Sequence, residues 1–234
     1  MQETVRFQAK PTQQAIVRDG QPALISQKQS SLVMIRPAFR RFASGDRPVF
    51  VVAVRNLTKA PLDFSVRNIA VTQVAGAAAV PMKVYSYEDL VAEEETRQVF
   101  AAILVGAAAG ANAAVASQAG YRTRTTTVHA PGGSYSYRTA SYSPSSAIAA
   151  TNRATRQSQR LIDAAIKDGN ANLAALEREV IKDNTLMPGE WYGGTLHVQP
   201  PAEAEGAGGA KTYAIAMTVG PDRHEIDVVQ EGVK

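Results

Sequence analysis

The chain has 234 residues, 45% of them hydrophobic, no cysteine and a formal net charge of +4 at pH 7. This length and composition suit one large globular domain, or a domain carrying a sizeable insertion. They exclude a disulfide framework, a thiolate metal site and a cysteine nucleophile. A charge of this size does not demand a nucleic-acid partner, and its placement says more than its magnitude. Between Glu95 and Asp163 there is no acidic residue, while Arg97, Arg122, Arg124, Arg138, Arg153, Arg156 and Arg160 all fall there.

The opening "MQETVRF" lacks the basic and apolar regions of a signal peptide, so the chain reads as cytosolic or as a mature form after leader removal. Residues 1–87 then read as β structure. "IVRDGQPALIS" predicts a hairpin turning at Asp19 and Gly20. "SLVMIRPAF" and "RPVFVVAVRNL" are short runs rich in Val, Ile and Phe. "PLDFSVRNIAVTQV" alternates Leu62, Phe64 and Val66 with polar neighbours and changes phase at Asn68. Turn residues separate these runs at "ASGDRP" and "RNLTKAPL", which is the rhythm of an antiparallel sandwich. Residues 188–234 resume it with "GTLHVQPP", "TYAIAMTVG" and "HEIDVVQ", and "AEAEGAGGA" reads as a flexible loop.

The segment between, 88–187, reads as an insertion of helix, β-hairpin and helix. Ser86 is the expected N-cap of a first helix over 88–119, and the cluster Glu88, Asp89, Glu93, Glu94 and Glu95 complements the positive end of its dipole. "YRTRTTTVHAPGGSYSYRTASY" predicts a hairpin over 121–142 that turns at "APGG", with a disordered Ser/Thr/Tyr-rich loop as the plain alternative. A second helix is expected over 146–183. Ile162, Ile166, Gly169, Leu173, Leu176 and Val180 line one stripe of it, and Asp168–Gly169 is a potential break.

Three features are candidates for function. Ala102, Gly106, Gly110 and Ala114 form a small-residue ridge on the first helix that lets another backbone approach closely. Three readings stay open for it: a seam between subunits, packing on the second helix, or membrane insertion, against which the weak hydrophobicity of alanine counts. In the hairpin, Tyr121, Arg122, Arg124, Tyr135, Tyr137, Arg138 and Tyr142 are candidate contact residues. Neither face of the first arm is apolar enough to anchor in a core, and an isolated ribbon is marginal, so pairing with neighbouring copies is expected. The interleaved arginines and tyrosines suit anionic headgroups or nucleic acid, but no recognised nucleic-acid module accompanies them.

His129, His197 and His224 have no metal-ligand spacing, and no GxSxG, Walker or GxGxxG motif occurs. The expectation is therefore a protein that is not an enzyme and has no metal or cofactor.

"RNLTKAPLDFSVRNIAV" and "LMPGEWYGGTLHVQPP" together resemble the immunoglobulin-like domains of uncharacterised bacterial cell-envelope lipoproteins. "VYSYEDL" and "PGEWYGG" resemble envelope proteins in which such a sandwich is split by a Gly/Ala-rich helix, a Tyr/Thr-rich region and a second helix. The resemblance implies scaffold roles for Asn56, Pro188, Gly189 and Gly194 and supplies no catalytic residues. The expectation is an α+β protein: an immunoglobulin-like antiparallel β-sandwich with an inserted helix–hairpin–helix excursion. It would reside in the bacterial periplasm or outer membrane and form a homo-oligomer, as a ring or pore, that meets outer-membrane lipid or an envelope partner. A monomeric periplasmic adaptor is the alternative, and nucleic-acid binding ranks third.

Overall fold

The computed structural model describes residues 2–18, 20–75, 78–130, 133–202 and 209–233. Within them, the side chains of residues 18, 75, 78, 102, 105–114, 117, 128, 130, 135 and 137 lie outside the description. The expected turn at Asp19 and most of the "AEAEGAGGA" loop fall outside it as well. The chain divides into two compact units, one of residues 1–91 with 175–234 and one of residues 92–174.

The first unit is a sandwich of two antiparallel sheets. One has the order β12 (Asn184–Leu186), β7 (Leu62–Ala75), β14 (Lys211–Val219), β15 (Asp222–Gly232), β1 (Gln2–Gln8), β5 (Phe42–Ala43), with β8 (Ala78–Met82) also on β7. The other runs β2 (Gln13–Arg18), β3 (Gln21–Gln27), β4 (Ser31–Pro37), β6 (Val49–Asn56), β13 (Trp191–Val198), β9 (Val84–Tyr85). Strict alternation makes each sheet one-sided. In β6, Phe50, Val52 and Val54 are buried, and in β14, Tyr213, Ile215, Met217 and Val219. Burying each such side chain stabilises the fold by roughly 1.5–3 kcal/mol. Aromatic pairs reach between the sheets: Phe50 lies 6.3 Å from Phe7 and 6.4 Å from Tyr213, and Phe64 lies 6.1 Å from Tyr192, centroid to centroid.

The phase change at Asn68 is a break in ladder register. Ile69 pairs with Met217 but Phe64 pairs with Val219, so β7 holds extra residues there, and its buried set moves from Leu62, Phe64 and Val66 to Ile69 and Val71. This is the expected effect of a bulge on a period-two pattern.

Asn56 is fully buried and organises the turn that follows it. Its Nδ2 donates to the carbonyls of Ala60 (2.7 Å) and Leu186 (3.0 Å), and its Oδ1 accepts from Thr58 N–H at 2.8 Å. Its backbone meets the Pro-Gly turn, accepting from Gly189 N–H at 3.0 Å. Gly194 lies where the chain returns from the second helix. A Cβ there would come within 2.7 Å of the Glu179 carbonyl and Ile181 nitrogen, so the Val180–Thr195 bridge needs glycine at that position.

The second unit contains most of α1 (Tyr87–Gln118), the hairpin β10 (Tyr121–Ala130) and β11 (Gly133–Tyr142), and most of α2 (Pro144–Glu179). α1 starts with a reciprocal cap: Ser86 Oγ accepts from Asp89 N–H at 3.2 Å, and Asp89 Oδ2 accepts from Ser86 N–H at 3.0 Å. α2 differs from expectation in two ways. It begins at Pro144 and ends at Glu179, and it passes through Asp168–Gly169 without interruption. Gly169 is there for close approach: a Cβ on it would meet the Gln98 amide carbon at 2.5 Å. Ile166, expected on the packed stripe, is 56% exposed. The two helices are antiparallel neighbours, since Glu94 accepts from Asn172 (3.4 Å) at one end while Ala116 and Ala119 share a cleft with Ala150 and Ala154 at the other.

The observed architecture is thus α+β, an antiparallel sandwich with two long helices.

Candidate functional site

In α1, the backbone of Ala102, Gly106, Gly110 and Ala114 is helical, and their side chains lie outside the described residues. The helix shows something the small-residue reading missed. Val99, Phe100, Ile103 and Leu104 are between 59% and 70% exposed. Their spacing places Val99 beside Ile103 and Phe100 beside Leu104 on successive turns, which makes a contiguous apolar strip. Monomers seldom leave such a strip in water. The run "VFAAIL" carries the signal in the sequence: apolar residues on every side of a helix require burial on every side, and one partner helix covers only one side.

At the base of the hairpin, the rings of Tyr121 and Tyr142 are 4.8 Å apart, and Ser143 N–H donates to the Gly120 carbonyl at 2.8 Å, closing the ribbon where it leaves the helices. Arg122, Arg124 and Arg138 are all exposed. Tyr135 and Tyr137 stand opposite Val128 and Thr126 by register, but their side chains lie outside the described residues. The expected "APGG" turn is outside as well at Pro131 and Gly132. Each arm has ten residues. Among the described residues this sheet has two strands, so neither outer edge of the ribbon has a ladder partner among them.

Two polar clusters are buried in the sandwich. In the first, Ser31 Oγ donates to Asp222 Oδ2 (2.8 Å) and contacts His224 Nε2 (2.8 Å), while His224 Nδ1 contacts Ser26 Oγ at 3.0 Å. The Ser31 proton is committed to the carboxylate, so His224 Nε2 must carry a hydrogen and Nδ1 must accept from Ser26. Burial lowers the His224 pKa below 6.5, against the raising effect of Asp222, and keeps the ring neutral. Serine, histidine and aspartate here do not form a nucleophile–base pair. The acid holds the serine rather than the imidazole, and Ser26, Ser31 and His224 are sealed from solvent. The cluster pins one sheet to the other.

In the second cluster, Lys211 Nζ lies 2.9 Å from Glu3 Oε1, which also accepts from Ser44 Oγ at 2.8 Å, and Gln230 donates to Glu3 Oε2. Burial pushes the Glu3 pKa up, but the hydrogen bonds from Gln230, Lys211 and Ser44 together prevail and hold it below its ordinary 4.5. This is a satisfied ion pair joining β1, β14 and β15. Among the described residues, no group of three His, Asp or Glu side chains is placed to hold a metal ion.

A groove of about 590 Å³ opens in the first unit, floored by Val66, Ile69 and Met82 and rimmed by Arg67, Tyr87 and Lys182. The Lys182 ammonium sits 3.9 Å over the Tyr87 ring and donates to the Glu177 carbonyl at 2.8 Å. Asp183 is engaged by Val66 N–H and Ser65 Oγ, and Asp89 by Lys83. Among the described residues, no nucleophile–base pair lines the groove.

Among the described residues, no helix is long and apolar enough to cross a membrane. Comparison with known proteins returned no likeness: no family model, no curated protein and no solved structure matches the chain.

Proposed function

We propose that the protein is a non-enzymatic, self-assembling structural component of the bacterial envelope, at the periplasm or outer membrane, with an immunoglobulin-like sandwich as scaffold and residues 92–174 as the assembly device. The observation that carries this reading is the exposed strip Val99, Phe100, Ile103 and Leu104. A second copy is the occupant that fits, because it brings an identical strip and can bury both at once. Gly106 and Gly110, one and two turns further along the helix, remove side-chain bulk where two such helices approach. Hairpins brought together by that seam would pair edge to edge, which removes the open strand edges. The envelope location extends the expectation carried by the "RNLTKAPLDF" and "PGEWYGG" segments, which comparison with known proteins neither supports nor opposes.

Light scattering tests the seam. The parent chain should have a mass of several 24.9 kDa subunits, and Phe100→Ser/Leu104→Ser should fall to one subunit with unchanged circular dichroism. A parent chain that stays monomeric at tens of micromolar would sink the proposal. It would favour the second reading, a monomeric binding or adaptor module, which the 590 Å³ groove supports.

A further inference from the structure

The hairpin divides into two zones along its length. Register pairs Arg122 with Ser141, Arg124 with Thr139, and Thr125 with Arg138. Directly paired residues share a face and successive ones alternate, so Arg122 and Arg124 lie on one face of the ribbon and Arg138 on the other. Together they make a cationic collar around both faces. The stretch of chain that carries it, between Glu95 and Asp163, holds no acid of its own.

Beyond the collar, from Thr126 to Tyr137, there is no Asp, Glu, Lys or Arg. The paired rungs run from Thr126–Tyr137 to Ala130–Gly133, a rise of roughly 14 Å at about 3.4 Å per residue. That matches the depth of a headgroup layer with the upper part of one leaflet. On one face of this zone, described polar side chains pair across the strands: Thr127 Oγ1 with Ser136 Oγ at 2.8 Å, and His129 Nδ1 with Ser134 Oγ at 2.6 Å. Groups already paired lose less on leaving water. Tyr135 and Tyr137 pair by register with Val128 and Thr126, and tyrosine is enriched at membrane–water boundaries.

We propose that this hairpin docks on an anionic lipid surface, with the uncharged rungs entering the headgroup layer and Arg122, Arg124 and Arg138 meeting lipid phosphates. A nucleic-acid strand fits the arrangement less well. It needs cations along one track, whereas these three are divided between two faces and stop short of the tip. The inference rests on the assembly reading for the number of hairpins that reach the surface together, since three arginines bind weakly alone and several linked copies multiply the effect.

The test is flotation of the full chain with vesicles of phosphatidylcholine, with and without phosphatidylglycerol, at low and high salt. Binding is expected to the phosphatidylglycerol vesicles only, to weaken with salt, and to fall at least roughly five-fold for each arginine removed. Arg122→Ser/Arg124→Ser/Arg138→Ser should lose it by at least roughly 100-fold on the same basis, while keeping the parent's mass in solution. Equal binding to pure phosphatidylcholine, a triple variant that floats like the parent, or arginine-dependent binding of single-stranded DNA without vesicle binding would each overturn it. An assembled parent that ignores vesicles would remove this inference and leave the assembly reading standing. A monomeric parent that floats through its arginines would remove the assembly reading alone.

Discussion

His224 places a titration inside the sandwich. Its ring must stay neutral to donate from Nε2 to Ser31 while accepting at Nδ1 from Ser26, and burial lowers its pKa from 6.5. The unfolded chain therefore binds the proton more readily, so the stability it contributes is complete above about pH 6.5 and lost as pH falls toward the folded value. Glu3, also lowered, acts in a more acidic window, below about 4.5. In His224→Gln, the side-chain amide can donate and accept at similar positions without titrating. Its thermal midpoint should be nearly flat between pH 7 and 5, where the parent's declines. Parallel declines would show that another group is responsible. None of this was legible beforehand, because the partners Ser26 and Ser31 are 198 and 193 residues away in the chain. The sequence pattern marked His224 only as lacking metal-ligand spacing.

Among the elements, those with a strong local signature were readable. The bulge in β7 shows as a phase change at Asn68, and the cap of α1 as Ser86 three residues before Asp89. The course of α2 was harder, because glycine in a helical pattern signals a break or a close contact equally well. Gly169 turns out to face Gln98. A double-mutant comparison separates its two roles. In a Gln98→Ala background, Gly169→Ala should raise stability by about 1 kcal/mol through helix propensity. With Gln98 present, part of that gain should be lost in displacing the amide. Equal gains in chemical denaturation would mean that the contact exerts no constraint. The strip Val99–Leu104 has no such periodic signature in the sequence. A helical stretch apolar all round has no preferred face for periodicity to find.

At the level of the whole molecule, the strand rhythm at the two ends indicated a sandwich, but not which strands would be neighbours. Alternation sets the face of a residue and leaves the partner strand open. The observed pairings join distant segments: β6 with β13, β7 with β14, and β1 with β15. The helices and the hairpin between them depend on near neighbours in the chain, and local contacts form faster than distant ones. In refolding from denaturant, far-ultraviolet helix signal should therefore return before the fluorescence of Trp191, the one tryptophan, which sits in β13 on the ladder with β6. Simultaneous recovery would indicate that the two units fold as one. The pairing of β1 with β15 also has a practical side. Val233 N–H donates to the Gln2 carbonyl at 2.8 Å, so Gln2 and Val233 leave the sandwich together. A tag on either end then attaches at the same place on the sandwich, and coupling this protein to a sensor chip through its front or its back should hold the sandwich by the same point.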